Sequence, residues 1–266
     1  FKGSSCSLNE EGIMSAFGDY HIHTRASDGR GTVAAKVARA KELGLSEIAV
    51  ADHGCGSTVF HQTPAKFARQ GEEIARENAK GGIRVYRSVE ANIVSPEGYI
   101  DLPDEMIRAC DALHIGFHRL LQRKYVAAAS RFVLVNGWGS AKARSAESMV
   151  EMNTRAFVAA IERYPVDVVC HLGHRAQTDI NAVCAAAKAK GVYIELNEKH
   201  IDALESCADE LVASGVEFIL GSDAHSTGDV GGFARVLDFV RRHGIDESRV
   251  CGLGAKPRFC DKTGFN

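Results

Sequence analysis

The chain has 266 residues, 45% of them hydrophobic, with a formal charge of −2 at pH 7 and a pI near 6.6. That length fits one large domain or two small ones and supplies a sizeable core. The near-neutral balance gives no reason to expect non-specific nucleic-acid binding, which rests on clustered positive charge, and a run of about eighteen apolar residues, which a membrane helix needs, does not occur.

Residues 1–17 read as a tail or linker ahead of a single domain over 18–266. Seven β-rich runs then follow in order, at 19–24, 47–53, 84–92, 112–118, 167–173, 192–196 and 217–225. Amphipathic stretches lie between most of them. Val33, Val37, Ala40 and Leu43 recur at helical spacing before Gly44, a C-terminal stop. Val150, Phe157, Ile161 and Tyr164 mark a long helix ahead of the fifth run, and Ile180, Val183 and Ala187 another, with Asp179 as its N-cap. Phe233, Val236, Leu237 and Val240 mark the last. Strands alternating with helices imply a parallel sheet, and seven units imply an α/β fold of the barrel type, with an open doubly wound sheet as the competing arrangement. Residues 119–145 break the rhythm and read as an insertion over one end of the barrel, a common place for a lid. The eight cysteines form no Cys-x-x-Cys pair, which argues against a zinc ribbon and for reduced thiols in a cytoplasmic setting.

Histidines and carboxylates gather where these runs end. His21 and His23 end the first, and their i, i+2 spacing puts both on one face. Asp28 follows in the next loop. Asp52 and His53 end the second run, Glu90 nears the end of the third, and His118 ends the fourth. His171 closes the fifth, and Asp223 with His225 closes the seventh. A lone histidine at a strand end is usually a satisfied polar residue, Asp28 in Ser-Asp-Gly reads equally as a turn residue, and Asp52 reads as a loop cap outside the ligand set. Glu90 is different, because a carboxylate in a core strand is costly to bury without a partner. Convergence of the whole set on the carboxyl rim, where barrels carry their chemistry, points to a metal centre.

These motifs resemble the PHP (polymerase and histidinol phosphatase) family: His-Ile-His-Thr at 21–24, Asp-His-Gly at 52–54, Val-Glu-Ala-Asn at 89–92, Gly-Phe-His at 116–118, Cys-His at 170–171 and Gly-Ser-Asp-Ala-His at 221–225. Their order over residues 19–226 is similar to that of the stand-alone phosphatases with three metals. The resemblance implies a distorted (β/α)7 TIM-like barrel. It implies a first metal on His21, His23, Glu90 and Asp223, a second on Glu90, His118 and His171, and a third on Asp28, His53 and His225. Gly29 stands where some relatives carry histidine, and Leu172 where many carry proline. Two to three divalent ions are expected, zinc first, then manganese or iron.

The expected chemistry is hydrolysis of a small metabolite's phosphate monoester by a metal-bridging hydroxide. Glu90 and Asp223 are its catalytic carboxylates, and histidinol phosphate is one candidate substrate. His174 and His200 are unligated candidates for protonating the leaving group. Arg25, Arg119, Arg175 and Lys199 follow ligands or strand ends by a few residues and are the candidate phosphate contacts. A phosphodiesterase or exonuclease, or a metal-binding regulatory domain without turnover, are the competing readings. No membrane or nucleic-acid partner is expected.

Overall fold

A computed structural model describes residues 16–119, 121–123 and 130–265. Strand and helix alternate: β1 (Gly18–Ile22), α1 (Val33–Glu42), β2 (Glu47–His53), α2 (Pro64–Lys80), β3 (Arg84–Asn92), α3 (Asp104–Ala109) and β4 (Ala112–Gly116). Then come α4 (Ser130–Trp138), α5 (Ala141–Arg144), α6 (Glu147–Arg163), β5 (Val168–Val169), α7 (Ile180–Lys190), β6 (Tyr193–Asn197), α8 (Ala208–Ser214), β7 (Phe218–Gly221), α9 (Ala234–Arg242) and β8 (Val250–Cys251). Helix boundaries follow local chemistry. The Asp179 side chain caps α7 by accepting from Ala182 N at 3.2 Å, and Gly191 at φ 69° ends it, a left-handed stop that suits glycine. Thr63 caps α2 ahead of Pro64 in its first turn.

The eight strands run parallel in the order β1 to β8, a nearly closed barrel with helices between the strands. The sequence shows seven; β8 has two residues, too few to carry an alternation. At the carboxyl rim β1 meets the end of β7 directly, His23 N donating to Ala224 O (3.0 Å) and Ala224 N to His21 O (3.3 Å). At the opposite floor β8 pairs with β7, and Phe17 N donates to Gly252 O at 2.7 Å. The expected tail lies outside the described residues as far as residue 15, while Phe17 belongs to the floor.

Period-two alternation sorts the strands. Val89, Ala91, Leu113, Ile115, Ile194 and Leu196 face the helices as core. The alternate positions turn inward, with Ala49, Val168, Tyr193 and Ile219 filling the floor. Higher up the same face carries Glu90, Asn92, His114, Glu195 and Asn197, all buried. An irregularity between Asp19 and Ile22 shifts the β1–β2 register. Tyr20 therefore joins the floor cluster while its neighbour His21 meets Glu90 and Glu195, the kind of re-aiming that bulges produce beside active sites.

Of the segment 119–145, residues 120 and 124–129 lie outside the described residues. Most of the rest is helical, in α4 and α5. Phe132 of α4 packs edge-on against Phe117 at 5.5 Å between centroids, which seats this segment beside the end of β4.

Candidate metal centre

Glu90 is the hub of the rim. Five imidazole nitrogens surround its buried carboxylate: His171 Nε2 at 2.8 Å, His53 Nδ1 at 3.0 Å, His118 Nε2 at 3.3 Å, His21 Nε2 at 3.4 Å and His23 Nε2 at 3.6 Å. A second carboxylate, Asp223, lies 3.2 Å from His225 Nδ1 and 3.3 Å from His23 Nε2. A third, Asp28, lies 3.1 Å from His225 Nε2, 3.2 Å from His53 Nε2 and 3.5 Å from His23 Nδ1. The rim thus brings together all nine residues that the sequence offers as ligands. Four sets among the described residues have donor atoms close enough to share an ion: His23, Asp28, His53 and His225; His21, His23 and Asp223; His53, Glu90 and His118; and, beneath them, His21, Cys170 and Glu195.

Backbone turns, rather than continued strands, aim several of these groups. β5 stops at Val169 and β7 at Gly221, short of the runs read from the sequence. His171 (φ 33°), Arg175 (φ 64°) and Asp223 (φ 55°) are the non-glycine residues with positive φ among the described residues. All three line one cavity. Asp223 and His225 therefore do not converge by strand alternation, as their i, i+2 spacing implies, but through a left-handed Asp223. Strain of this kind, roughly 1–3 kcal/mol per residue, persists where surrounding contacts over-determine the site.

Residues behind the rim fix the imidazoles. Glu195 Oε1 stands 2.7 Å from His21 Nδ1, and Glu195 Oε2 accepts from His171 N at 2.8 Å. Asp101 accepts from both Asn92 N and Asn92 Nδ2 at 2.7 Å, which turns Asn92 Oδ1 toward His118 Nδ1 at 2.7 Å. In both cases Nδ1 faces an acceptor and donates, which leaves Nε2 as the nitrogen a metal would take. Asp52, read as a cap, is a buried acceptor for Thr24 N, Thr24 Oγ1, Ser27 and Gln70 that shapes the loop carrying Asp28. Buried Lys36 donates to Ala224 O and Ser226 O on either side of His225. Glycines make room: a β-carbon on Gly221 would strike Glu195 Oε1, and one on Gly29 would strike the His23 carbonyl. That second clash explains why the residue after Asp28 carries no side chain.

Sequence reasoning missed Glu195, Asn92, Asp101 and Lys36. Glu195 was accessible by the argument applied to Glu90, since it too is a carboxylate between apolar neighbours in a core strand. Asp101 lies in a loop, where nothing local marks it.

Electrostatics separate the imidazoles. Burial would lower His53, but Asp28 and Glu90 outweigh it and raise its pKa to about 10. His225 rises likewise to about 9 under Asp223 and Asp28. Burial prevails at His23, pushed down to about 3. Against their own burial, Glu90 is held well below the usual range by His118 and His21, and Asp223 by His225, His23 and His21. The proton demand and the lone pairs of these groups compete, as in any site that exchanges protons for a cation. Residues and geometry fit divalent ions. Glu90 Oε2 and Asp223 Oδ1 are buried and accept no hydrogen bond, although imidazole nitrogens stand at 3.0 Å and 3.2 Å. Such atoms, close but not aligned on one another, are disposed to share a common electrophile.

The cavity above this rim measures about 240 Å3, and Phe60, His174, His200, Arg119 and Arg175 complete its walls. His174 and His200 stack at 3.8 Å and are depressed, by burial first, to about 3 and about 4. Two expected phosphate contacts fall elsewhere. Arg25 lies on a separate surface cavity and reaches Glu73 at 3.6 Å. Lys199 is not among the residues lining the cavity, although its Nζ stands 2.6 Å from His225 Nδ1 and 3.7 Å from Asp223 Oδ1.

A barrel with this rim defines a metal-dependent hydrolase of phosphate esters. The sequence profile of the PHP domain matches residues 19–231, and the chain belongs to the PHP domain family. It is 29% identical over 251 residues to a probable phosphatase of Shewanella amazonensis, covering 88% of this chain and 89% of the relative. It is 28% identical over 231 residues to one from Acetivibrio thermocellus, covering 84% and 85%. Among solved structures, it is similar to the histidinol phosphate phosphatase of Lactococcus lactis, crystallised with zinc, L-histidinol and phosphate. The TM-score is 0.57 at 15% identity, over 88% of this chain and 95% of that one; this likeness carries the fold. Among the described residues, no helix is long and apolar enough to cross a membrane.

Proposed function

We propose that this protein hydrolyses the phosphate monoester of a small cytoplasmic metabolite with two to three divalent ions, zinc first. The ligand sets are His21, His23, Glu90 and Asp223; Glu90, His118 and His171; and Asp28, His53 and His225. The observation that carries the reading is the pair of buried carboxylate oxygens on Glu90 and Asp223 that accept no hydrogen bond amid six imidazoles. When bound, divalent ions supply Lewis acidity toward phosphoryl oxygens and lower the pKa of water.

The chain's own residues do the rest. Glu195 and the Asp101–Asn92 pair hold His21 and His118 in the Nε2-free tautomer. Asp223, fixed by its left-handed backbone, has one oxygen toward His225 and the other 3.8 Å from His200 Nε2, so it can orient a water molecule at the rim. His200 and His174 border the same cavity, but burial keeps both unprotonated near neutral pH, so they serve as hydrogen-bond partners for the ester and not as proton donors to the departing alkoxide. A cavity of about 240 Å3 suits a small phosphate ester and favours it over a nucleic-acid strand, which needs an extended basic groove.

The test is metal content per chain on protein purified without added metal, together with p-nitrophenyl phosphate turnover. Two to three ions and chelator-sensitive turnover are expected. Bound metal without turnover would favour the non-catalytic reading. No binding after reconstitution with zinc, manganese or iron would overturn the metal centre.

A further inference from the structure

The cavity has a second wall of different chemistry. The carboxylates of the rim are all engaged by imidazoles, whereas Arg119 and Arg175 line the cavity with no ion-pair partner among the described residues. Several other arginines have a carboxylate or a carbonyl partner: Arg84 pairs with Asp111, Arg235 with Asp202, Arg242 with Glu205 and Arg258 with Glu217, while Arg87 and Arg249 donate to backbone oxygens. Arg175 is half-buried and held at φ 64°, a conformation that costs energy in a residue with a β-carbon. Burial, then Arg119 and Arg144, push its pKa below the ordinary arginine range, so two neighbouring guanidinium groups oppose its charge here. Guanidinium remains charged at any physiological pH. Arg119 and Arg175 thus bring like charge to one wall with no carboxylate paired to either, and an anion in the cavity supplies the missing partner.

We propose that the substrate carries a second anionic group, a carboxylate or another phosphate, which Arg119 and Arg175 bind while the rim holds the scissile phosphate. This rests on the phosphomonoesterase reading and sharpens it to a substrate class. A phosphorylated amino alcohol would bring its ammonium group against two guanidinium groups and is disfavoured.

The experiment compares kcat/KM of the metal-loaded protein for esters differing in the distal group: phosphoglycolate, propanediol bisphosphate, hydroxyethyl phosphate and phosphoethanolamine. Both anionic substrates are expected to exceed the neutral one by about tenfold or more, with the cationic one lowest. Arg175→Gln and Arg119→Gln should each shrink the anionic-to-neutral ratio to within about threefold. Inhibition constants for phosphonoacetate and aminoethylphosphonate give the same comparison without turnover. Equal values across the series, or a ratio that both variants leave intact, would overturn the proposal. Hydrolysis of none of the esters, with phosphonoacetate still bound better than aminoethylphosphonate, would sink the esterase reading but keep the anion wall. Hydrolysis of none of the esters together with equal inhibition constants would sink both.

Discussion

The two ends of the barrel both bury carboxylates and treat them in opposite ways. At the floor, Asp167 meets Lys262 Nζ at 2.6 Å and accepts from Leu113 N and Cys260 N at 2.7 Å and 2.8 Å. Lys262 donates in turn to Asp111 O and Cys260 O. At the rim, Glu90 and Asp223 each leave an oxygen without a hydrogen bond, though nitrogens crowd around both. Buried charge by itself therefore does not mark a functional site, since a fully paired one is architecture. Incomplete satisfaction amid abundant potential partners is what separates the rim from the floor.

Removing one group from each end breaks the comparison most sharply. Glu90→Gln should abolish metal retention and lower turnover by about 10^3-fold, read by elemental analysis and p-nitrophenyl phosphate hydrolysis. Lys262→Met strands Asp167 and should cost about 3–5 kcal/mol of stability. Its folded fraction should still bind metal at the wild-type ratio, and denaturant melts with metal analysis check both. If Lys262→Met emptied the rim, the two ends would not be independent.

Smaller effects sharpen the contrast. Glu195→Gln leaves all proposed ligands in place but loosens His21, and a loss of about 10–100-fold in metal affinity is expected by competition with a chelator. The rim should also show a pH signature that metal reverses. His53 and His225 have folded pKa values of about 10 and about 9 against an ordinary 6.5. Their stabilisation of the metal-free protein is complete below 6.5 and is lost as pH rises through those values. Metal-free protein should therefore melt at lower temperature at pH 8 than at pH 6.5, and metal-loaded protein should reverse the order because deprotonated imidazoles bind the ions. A metal-free Tm that climbs over this interval would contradict the assignment. The smallest effect belongs to Arg25→Ala, expected to change KM by less than about twofold, since Arg25 is exposed and turned toward Glu73.

Much of the architecture was legible because two periodicities announce it: alternation in β2, β3 and β6, and helical spacing in α1, α6, α7 and α9. The gathering of His21, His23, His53, Glu90, His118 and His171 was legible for the same reason, since strand ends in a barrel share one rim. What stayed hidden depended on backbone geometry or distant partners. β8 is two residues long. Asp223 reaches the rim through a left-handed turn that spacing does not encode. Asp101 serves His118 only through Asn92. Arg25 and Arg175 look equivalent in sequence, two and four residues beyond a rim histidine, yet of the two only Arg175 faces the cavity.

The seam of the barrel has a consequence of its own. β1 and the end of β7 join through His21, His23 and Ala224, so the junction between the two ends of the chain runs through the proposed ligand set. An ion shared by His21, His23 and Asp223 would act as a clasp on a loop of some two hundred residues. By the chain-entropy scaling for cross-links, such a closure removes about 5 kcal/mol of freedom from the unfolded state. The site also cannot exist until the last strands have emerged and docked on the first. Metal capture would then be a final, quality-reporting step of folding, and slow opening of that seam would set how long the protein keeps its ions.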